Sequence, residues 1–127
     1  VTHEVKAILD WELSTLGNPI ADFTYHMMSW RLPAGAKGLG MMGSDLKSLN
    51  IPSESEYAEL YYKKTGREKI DNWDFYMAYN IFRLAGIAQG IVGRVRDGTA
   101  SSSEAKNYEA FVPILGKLGW SIVEGIK

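Results

Sequence analysis

The sequence predicts a mainly helical domain with a small β element near its N-terminus. Four segments carry apolar residues at helical spacing, and most of them lie between residues that typically start and stop helices. One short apolar run near the N-terminus has the length of a buried strand. The chain has 127 residues, 46% of them apolar, so we expect one packed domain over residues 1–127.

The predicted β element is the run Val5-Lys-Ala-Ile-Leu9, which is followed directly by Asp10-Trp-Glu12. A short apolar run that ends in acids is typical of a buried strand whose carboxyl end presents carboxylates. Residues 2–5 are candidates for the turn or partner strand before it.

The first helix is predicted over residues 19–31. Asn18 has the side chain of an N-cap, and Pro19 stands at the first helical position, where its missing N–H costs nothing. Apolar residues recur every three or four positions and predict one buried face, with Asp22 and His26 on a neighbouring stripe; the apolar positions are Ile20, Phe23, Met27 and Trp30.

Residues 32–50 are rich in Pro, Gly, Lys and Ser and predict a long irregular connection. The glycines from Gly38 to Gly43 have the spacing of a dinucleotide-binding loop. No strand precedes them and no periodic helix follows directly, so we interpret this segment as a flexible loop.

Three further helices complete the predicted body. The second covers residues 54–65, because Ser53 and Glu56 have capping-box spacing and Gly66 is a stop signal. The third covers about 71–96, and its first half is apolar nearly all round, which is typical of a central helix. The last covers about 104–126, with a kink or break expected at Pro113.

Charge and composition exclude several function classes. With 14 basic and 15 acidic residues the net charge is -1, which argues against nucleic-acid binding. The absence of cysteine excludes a disulfide scaffold, a thiolate zinc site and a cysteine nucleophile, and favours the cytoplasm. Arginines interrupt the most hydrophobic region, so no membrane span is expected.

The other motifs do not indicate a metal site, a serine hydrolase or a ligand-stacking site. His3 and His26 have no partners at metal-ligand spacing; we expect His3 on the surface and His26 partly buried and hydrogen-bonded. No Gly-x-Ser-x-Gly elbow is present. Aromatic residues at helical spacing favour core and interface packing over ligand stacking; they are Tyr57, Tyr61, Tyr62, Trp73, Tyr76 and Tyr79.

Asp10 and Glu12 are the residues of this sequence that most resemble part of a functional site. Two carboxylates two residues apart, at the end of a predicted strand, can present oxygen ligands to Mg²⁺. The alternative is structural: one acid solvated at the strand end and the other paired with a nearby lysine or arginine. The spacing alone leaves both open.

The segment from Ala7 to Tyr25, with Asp10-Trp-Glu12 and Gly17-Asn-Pro-Ile-Ala-Asp22, resembles the C-terminal lobe of the aminoglycoside phosphotransferase and choline kinase-like family. Later segments are similar to the branch of that family found fused to or encoded near acyl-CoA dehydrogenases; they are 51–57, 64–67, 73–79 and 82–85. The resemblance covers nearly the whole chain and implies the C-terminal subdomain of the protein kinase-like fold.

The resemblance also implies roles for three acids. Asp10 matches the family's metal-binding aspartate, which holds Mg²⁺ against the nucleotide phosphates. Glu12 takes a supporting role, and Asp22 matches an aspartate that orients the backbone of the catalytic loop. The implied reaction is ATP- and Mg²⁺-dependent transfer of a phosphoryl group to a hydroxyl of a small molecule.

The chain departs from this family in what it lacks. No residue matches the family's catalytic His-Gly-Asp loop, its nucleotide-binding lysine or its N-terminal lobe, so we expect these upstream of Val1 in a longer protein. The first residues, Val-Thr-His-Glu, begin without Met and do not form a signal peptide. We therefore expect this chain alone to be inactive and to bind neither Mg²⁺ nor ATP tightly.

Two readings of the function follow. In the first, the helices after Asn50 form the substrate-binding half of a cleft and residues 34–43 form a mobile cover. The resemblance to proteins associated with acyl-CoA dehydrogenases favours a hydroxylated acyl or acyl-CoA substrate. An aminoglycoside is not favoured, because it is a polycation and the helices carry no dense acidic patch beyond Glu54, Glu56 and Glu59. In the second, the chain is a non-catalytic helical module whose exposed apolar surface and strand edge at 5–9 favour a homodimer or another partner.

Overall fold

The structure is a computed structural model that describes residues 4–35 and 39–126, apart from the side chain of Leu13. The prediction of a mainly helical chain is confirmed. The α-helices are α1 (Pro19–Met27), α2 (Glu54–Thr65), α3 (Trp73–Arg96) and α4 (Tyr108–Gly125). Short 3-10 helices occur at Trp11–Leu13, Met28–Trp30 and Ser103–Asn107.

The predicted N-terminal strand is wrong for the residues that the structure describes. Residues 4–9 have no secondary structure, and Val5, Ile8 and Leu9 are 88%, 76% and 81% exposed. A strand needs a partner, and the described residues contain no strand that could pair with this run. The apolar composition of this run predicts burial, but composition does not show whether the chain supplies a surface to cover it. Residues 1–3, part of the candidate partner segment, lie outside the described residues.

Local signals set the start of α1. The backbone N–H of Ile20 donates to Asn18 Oδ1 at 2.9 Å, and Pro19 occupies the first turn, as the sequence predicts. The α-helix ends at Met27 and continues as a 3-10 turn to Trp30, close to the predicted end at residue 31.

Helix α2 has the predicted bounds. Its capping box is complete, because the Ser53 hydroxyl accepts from the Glu56 N–H and the Glu56 carboxylate accepts from the Ser53 N–H at 2.8 Å. The hydrogen bond from the Ser53 hydroxyl, followed by the one from its backbone, lowers the pKa of Glu56. Gly66 ends the helix with a φ of 68°, a conformation that glycine adopts without strain.

Helix α3 is central, as predicted, because it packs against both α1 and α4. The two long helices approach closely at Gly119, where a Cβ atom would lie 3.1 Å from the ring of Phe82. The break expected at Pro113 does not occur, because α4 is continuous through it from Tyr108 to Gly125. The buried core joins α3 and α4 to the end of α1; it comprises Met27, Met28, Leu32, Met77, Ile81, Leu84, Ala88, Phe111 and Leu115.

Backbone hydrogen bonds join the start of the connection after α1 to Met42. Met42 N–H donates to the Leu32 carbonyl at 2.9 Å, and Ala34 N–H donates to the Met42 carbonyl at 3.1 Å. Gly40 is required here, because a Cβ atom would lie 1.9 Å from the Pro33 carbonyl oxygen. No helix begins between Gly43 and Glu54, which agrees with the interpretation that this is not a dinucleotide-binding loop; residues 36–38 lie outside the described part.

Within the described ranges, none of the helices combines the length and apolar character needed to cross a membrane.

Candidate functional site

Asp10 has an unusual backbone conformation. Its φ and ψ are 56° and 24°, in the left-handed region that few residues other than glycine enter. It precedes the 3-10 helix Trp11–Leu13, which closes with a hydrogen bond from Ser14 N–H to the Trp11 carbonyl at 2.9 Å. Aspartate is one of the residues that tolerate this conformation, and such strained positions concentrate at functional sites.

The carboxylates of Asp10 and Glu12 are both exposed. Neither forms a hydrogen bond or ion pair with another described residue, and the nearest lysine in sequence, Lys6, pairs with Glu4 instead. The structural alternative, in which one acid pairs with a neighbouring base, therefore does not occur within residues 4–35 and 39–126.

This arrangement fits part of a Mg²⁺ site. Among the described residues no group of three or more His, Cys, Asp or Glu side chains comes together to hold a metal ion. Asp10 and Glu12 alone would therefore form only part of such a site. Magnesium in phosphoryl-transfer sites is commonly held by one or two carboxylates, with waters and substrate phosphates completing its six ligands. Two accessible carboxylates thus suit a magnesium ion shared with a nucleotide and a further protein ligand.

Asp22 lies in the first turn of α1 and is exposed. Its backbone N–H donates to the Asn18 carbonyl at 3.3 Å, whereas its carboxylate has no partner in the described part of the chain. The position favours an acid, because the helix dipole is positive there.

We expect Asp22→Ala to lower the free energy of unfolding of this chain by only about 0.3–1 kcal/mol, the loss of a favourable interaction with the helix dipole. Asn18→Ala is the matched control. It removes both the N-cap and the hydrogen bond from Asn18 to the Tyr76 hydroxyl, and should cost at least as much as a typical cap, about 1 kcal/mol. Urea unfolding measures both, and a larger loss for Asp22→Ala would show that its carboxylate has a partner within the chain.

A polar cluster joins the residue after the 3-10 turn that follows α1 to the first turns of α2 and α3; we call it the Arg31 junction. The Arg31 guanidinium donates two parallel hydrogen bonds to the Glu54 carboxylate, from Nε to Oε2 at 2.9 Å and from Nη2 to Oε1 at 2.7 Å. Its Nη1 donates to Asp74 Oδ1 at 2.6 Å. The Trp73 indole N–H also donates to Glu54 Oε1 at 2.7 Å, so this carboxylate is fully engaged.

The junction is partly removed from water. The side chains of Arg31 and Glu54 are each 25% exposed. Burial lowers the pKa of Arg31, but the hydrogen bonds to Glu54 and Asp74 outweigh it and raise the pKa above its ordinary value. The junction therefore links the residue after the 3-10 turn that follows α1 to the starts of α2 and α3.

Sequence reasoning missed the Arg31 junction. It treated residue 31 as a helix end and Glu54 as part of a possible acidic patch. The sequence does carry a weak signal, namely acids in the first turns of α2 and α3 and a base at the end of the first helical segment. The pairing itself spans 23 and 43 residues and has no local signature.

Aromatic side chains fill the space between α1 and α2. Phe23 stacks on Tyr61 with ring centroids 3.8 Å apart, and Trp30 stacks on Tyr57 at 5.2 Å. These contacts agree with the prediction that the tyrosines serve packing. The prediction for His26 is wrong: it is exposed and has no hydrogen bond to a described residue, although its ring contacts those of Trp30 and Tyr57. His3 lies outside the described residues.

Comparison of the sequence with known proteins finds relatives of this chain. The mouse acyl-CoA dehydrogenase family member 10 is 42% identical over 118 residues, which is 92% of this chain and 11% of the mouse protein. The human and chicken family members 11 are 34% and 33% identical, each over 91% of this chain and 15% of their own length. The chain is homologous to a segment of acyl-CoA dehydrogenase family proteins.

The chain spans between a tenth and a sixth of the length of these relatives. The similarity confirms the part of the sequence resemblance that concerns acyl-CoA dehydrogenases. No family model and no solved structure matches the chain. The kinase-like fold and the phosphotransferase activity stay predictions.

Proposed function

We propose that residues 1–127 form the C-terminal part of a cytoplasmic ATP- and Mg²⁺-dependent phosphotransferase that acts on a hydroxyl group of a small molecule. The observation that carries this proposal is Asp10, an exposed carboxylate without a partner among the described residues and with a left-handed backbone. Holding a non-glycine residue in this conformation costs free energy, which is typical of functional positions. The sequence around it, Asp10-Trp-Glu12 with Asp22 downstream, supports the same assignment.

Each acid has a defined task in this proposal. Asp10 binds the Mg²⁺, and Glu12 supports that site from two residues away. Asp22, at the start of α1, orients the backbone of a catalytic loop supplied by another part of the protein. The metal, when bound, neutralises the phosphate charge that builds up during transfer.

The transfer forms a bond between the substrate oxygen and the γ-phosphorus and breaks the bond from that phosphorus to ADP. The hydroxyl proton passes to a base for which this chain has no matching residue. We therefore expect the chain alone to be inactive and to bind Mg²⁺ and ATP weakly at most.

The proposed substrate is a hydroxylated acyl compound or its acyl-CoA thioester. Similarity to segments of acyl-CoA dehydrogenase family proteins supports this choice. The charges on α2 argue against a polycation, because Arg31 engages Glu54 and the capping box engages Glu56. Of the three acids considered in that patch, Glu59 alone has no partner among the described residues.

The experiment uses the longest natural protein that contains this sequence. It is incubated with ATP, Mg²⁺ and short hydroxyacyl compounds, free and as CoA thioesters, and the products are analysed by mass spectrometry. The proposal predicts a phosphorylated acyl product and stoichiometric ADP. Transfer to an aminoglycoside but not to these compounds would contradict the substrate class, and ATP hydrolysis without transfer to any hydroxyl acceptor would contradict the activity.

A second candidate function is self-association as a non-catalytic module. The outer face of α3 favours it, because Phe75 and Tyr79 are about half exposed, at 55% and 50%, and Trp120 of α4 is 57% exposed. Phe75 and Tyr79 lie one turn apart on α3, and exposed apolar residues on one helix face often mark a protein interface. A second copy of this chain is the proposed occupant.

This candidate predicts a dimer in sedimentation equilibrium that Tyr79→Glu dissociates. Leu60→Glu is the matched control, since Leu60 is an exposed apolar residue on a different helix, α2. A chain that stays monomeric at every concentration, or a dimer that both substitutions weaken equally, would contradict self-association through α3.

A further inference from the structure

A cavity of about 410 Å³ lies between the first turns of α2 and the segment that leads into α3. Its volume is within the range of small-molecule binding sites, roughly 300–1,000 Å³. Ala58, Ile70 and Trp73 give it an apolar wall, and all three are buried or half-buried. Glu59 of α2 and Lys69 of the connection to α3 also line it. The cavity therefore combines an apolar wall with two side chains of opposite charge.

The Arg31 junction holds Trp73 in place at this wall. The indole N–H donates to Glu54 Oε1 at 2.7 Å, and Glu54, which also lines the cavity, is paired with Arg31. The indole has no other polar group, so a ligand in the cavity meets Trp73 as an apolar surface. Because these contacts form without a ligand, the wall is already ordered, which lowers the entropy cost of binding.

Glu59 and Lys69 are exposed charges that have no partner among the described residues. Lys63 stands one turn from Glu59 on α2, yet the two do not form an ion pair. Glu59 and Lys69 also do not pair with each other, so their charged ends lie more than 4.0 Å apart although both line one cavity. A ligand with a single charge is attracted by one of them and repelled by the other. A ligand with two opposite charges can be attracted by both.

We propose that this cavity binds a zwitterionic α-amino acid with an aromatic or branched apolar side chain. The ligand carboxylate pairs with the Lys69 ammonium, and the ligand ammonium pairs with the Glu59 carboxylate. The apolar side chain of the ligand packs against Ala58, Ile70 and Trp73. The site uses none of the acids assigned to the phosphotransferase, so it stands independently of that proposal.

The test uses three probes that share a phenyl ring on a two-carbon chain, with the full 127-residue chain at neutral pH. L-phenylalanine carries both charges, phenethylamine lacks the carboxylate, and 3-phenylpropionate lacks the ammonium. Affinity is measured by chemical-shift titration in ¹H–¹⁵N spectra, with the Trp73 indole N–H as the reporter of the site. Phenylalanine is expected to bind about two- to fivefold more tightly than either singly charged probe, the effect of one solvent-exposed ion pair.

Two substitutions separate the contributions of the two charges. Lys69→Gln should weaken the binding of phenylalanine and 3-phenylpropionate about two- to fivefold, and should not weaken that of phenethylamine. Glu59→Gln should weaken the binding of phenylalanine and phenethylamine by a similar factor, and should not weaken that of 3-phenylpropionate. Lys64→Gln is the matched control, because Lys64 is an exposed lysine of α2 that lines a different cavity, and it should change none of the three affinities.

Four results would overturn the proposal. They are no binding of phenylalanine up to its solubility limit, binding of phenylalanine no tighter than that of a singly charged probe, equal effects of Lys69→Gln and Lys64→Gln on phenylalanine, or shift changes that spare Trp73. All three substitutions replace exposed side chains that have no partner among the described residues, so each variant should keep the dispersed ¹H–¹⁵N spectrum of the wild type, which verifies its fold.

Discussion

Arg31→Ala is expected to lower the free energy of unfolding by about 2–4 kcal/mol. The substitution removes a bidentate bond to Glu54 and a bond to Asp74, and it leaves the partly buried Glu54 carboxylate with only the Trp73 indole as a partner. Breaking one side of a buried ion pair costs more than the pair contributes, because the remaining charge stays desolvated. The exposure of Asp74, at 51%, places the effect below that of a fully buried pair.

Urea unfolding followed by circular dichroism measures this effect. Arg96→Ala is the matched control, because Arg96 pairs with Glu109 at 3.4 Å and their side chains are 66% and 72% exposed, where ion pairs contribute about 0–1 kcal/mol. The loss in free energy of unfolding for Arg31→Lys should fall between those for Arg31→Ala and Arg96→Ala, since an ammonium group cannot make the parallel bonds to Glu54. Equal losses for Arg31→Ala and Arg96→Ala would contradict the structural importance of the junction.

Helix α2 shows how far local signals reach. Ser53, Glu56 and Gly66 specify its two ends through contacts within four residues, and the sequence predicts its bounds correctly. The capping of α1 by Asn18 is equally local. Where a helix end is set by its own side chains, the sequence is sufficient.

The N-terminal segment shows where local signals fail. Residues 5–9 have the composition of a buried strand, yet burial depends on a surface that sequence spacing cannot reveal. Local signals also fail to predict the Arg31 junction. Glu54 and Asp74 lie 23 and 43 residues from Arg31, and only the packing of the helices brings them to it.

The candidate site was predicted in part. The sequence singles out Asp10 as a metal-binding residue and Glu12 as a supporting one; both carboxylates are exposed, and their roles stay predictions. It could not predict the left-handed conformation of Asp10, because that depends on how the 3-10 turn after it closes. It also missed Asn80, which is fully buried and donates from one amide to the Ala21 carbonyl and the Thr24 hydroxyl, both at 2.8 Å.

Asp10→Asn is expected to reduce phosphoryl transfer by about three orders of magnitude or more in the longest natural protein that contains this sequence. Metal stabilisation of developing phosphate charge supplies several kcal/mol, and each 1.4 kcal/mol corresponds to about a factor of ten in rate. Asparagine keeps the shape of the side chain and tolerates the left-handed backbone, so the loss should come from the missing charge. Glu12→Gln should lose far less, because its role is supporting.

The most direct test is the rate of ATP-dependent phosphorylation of a hydroxyacyl acceptor, measured against Mg²⁺ concentration for the wild type and Asp10→Asn. Asp71→Asn, at another exposed acid without a partner among the described residues, is the control for lost charge alone. The proposal predicts that Asp10→Asn lowers the rate and raises the Mg²⁺ concentration needed for half of it, whereas Asp71→Asn changes neither. A wild-type rate and Mg²⁺ dependence in Asp10→Asn would contradict the assignment of Asp10 as the metal-binding residue.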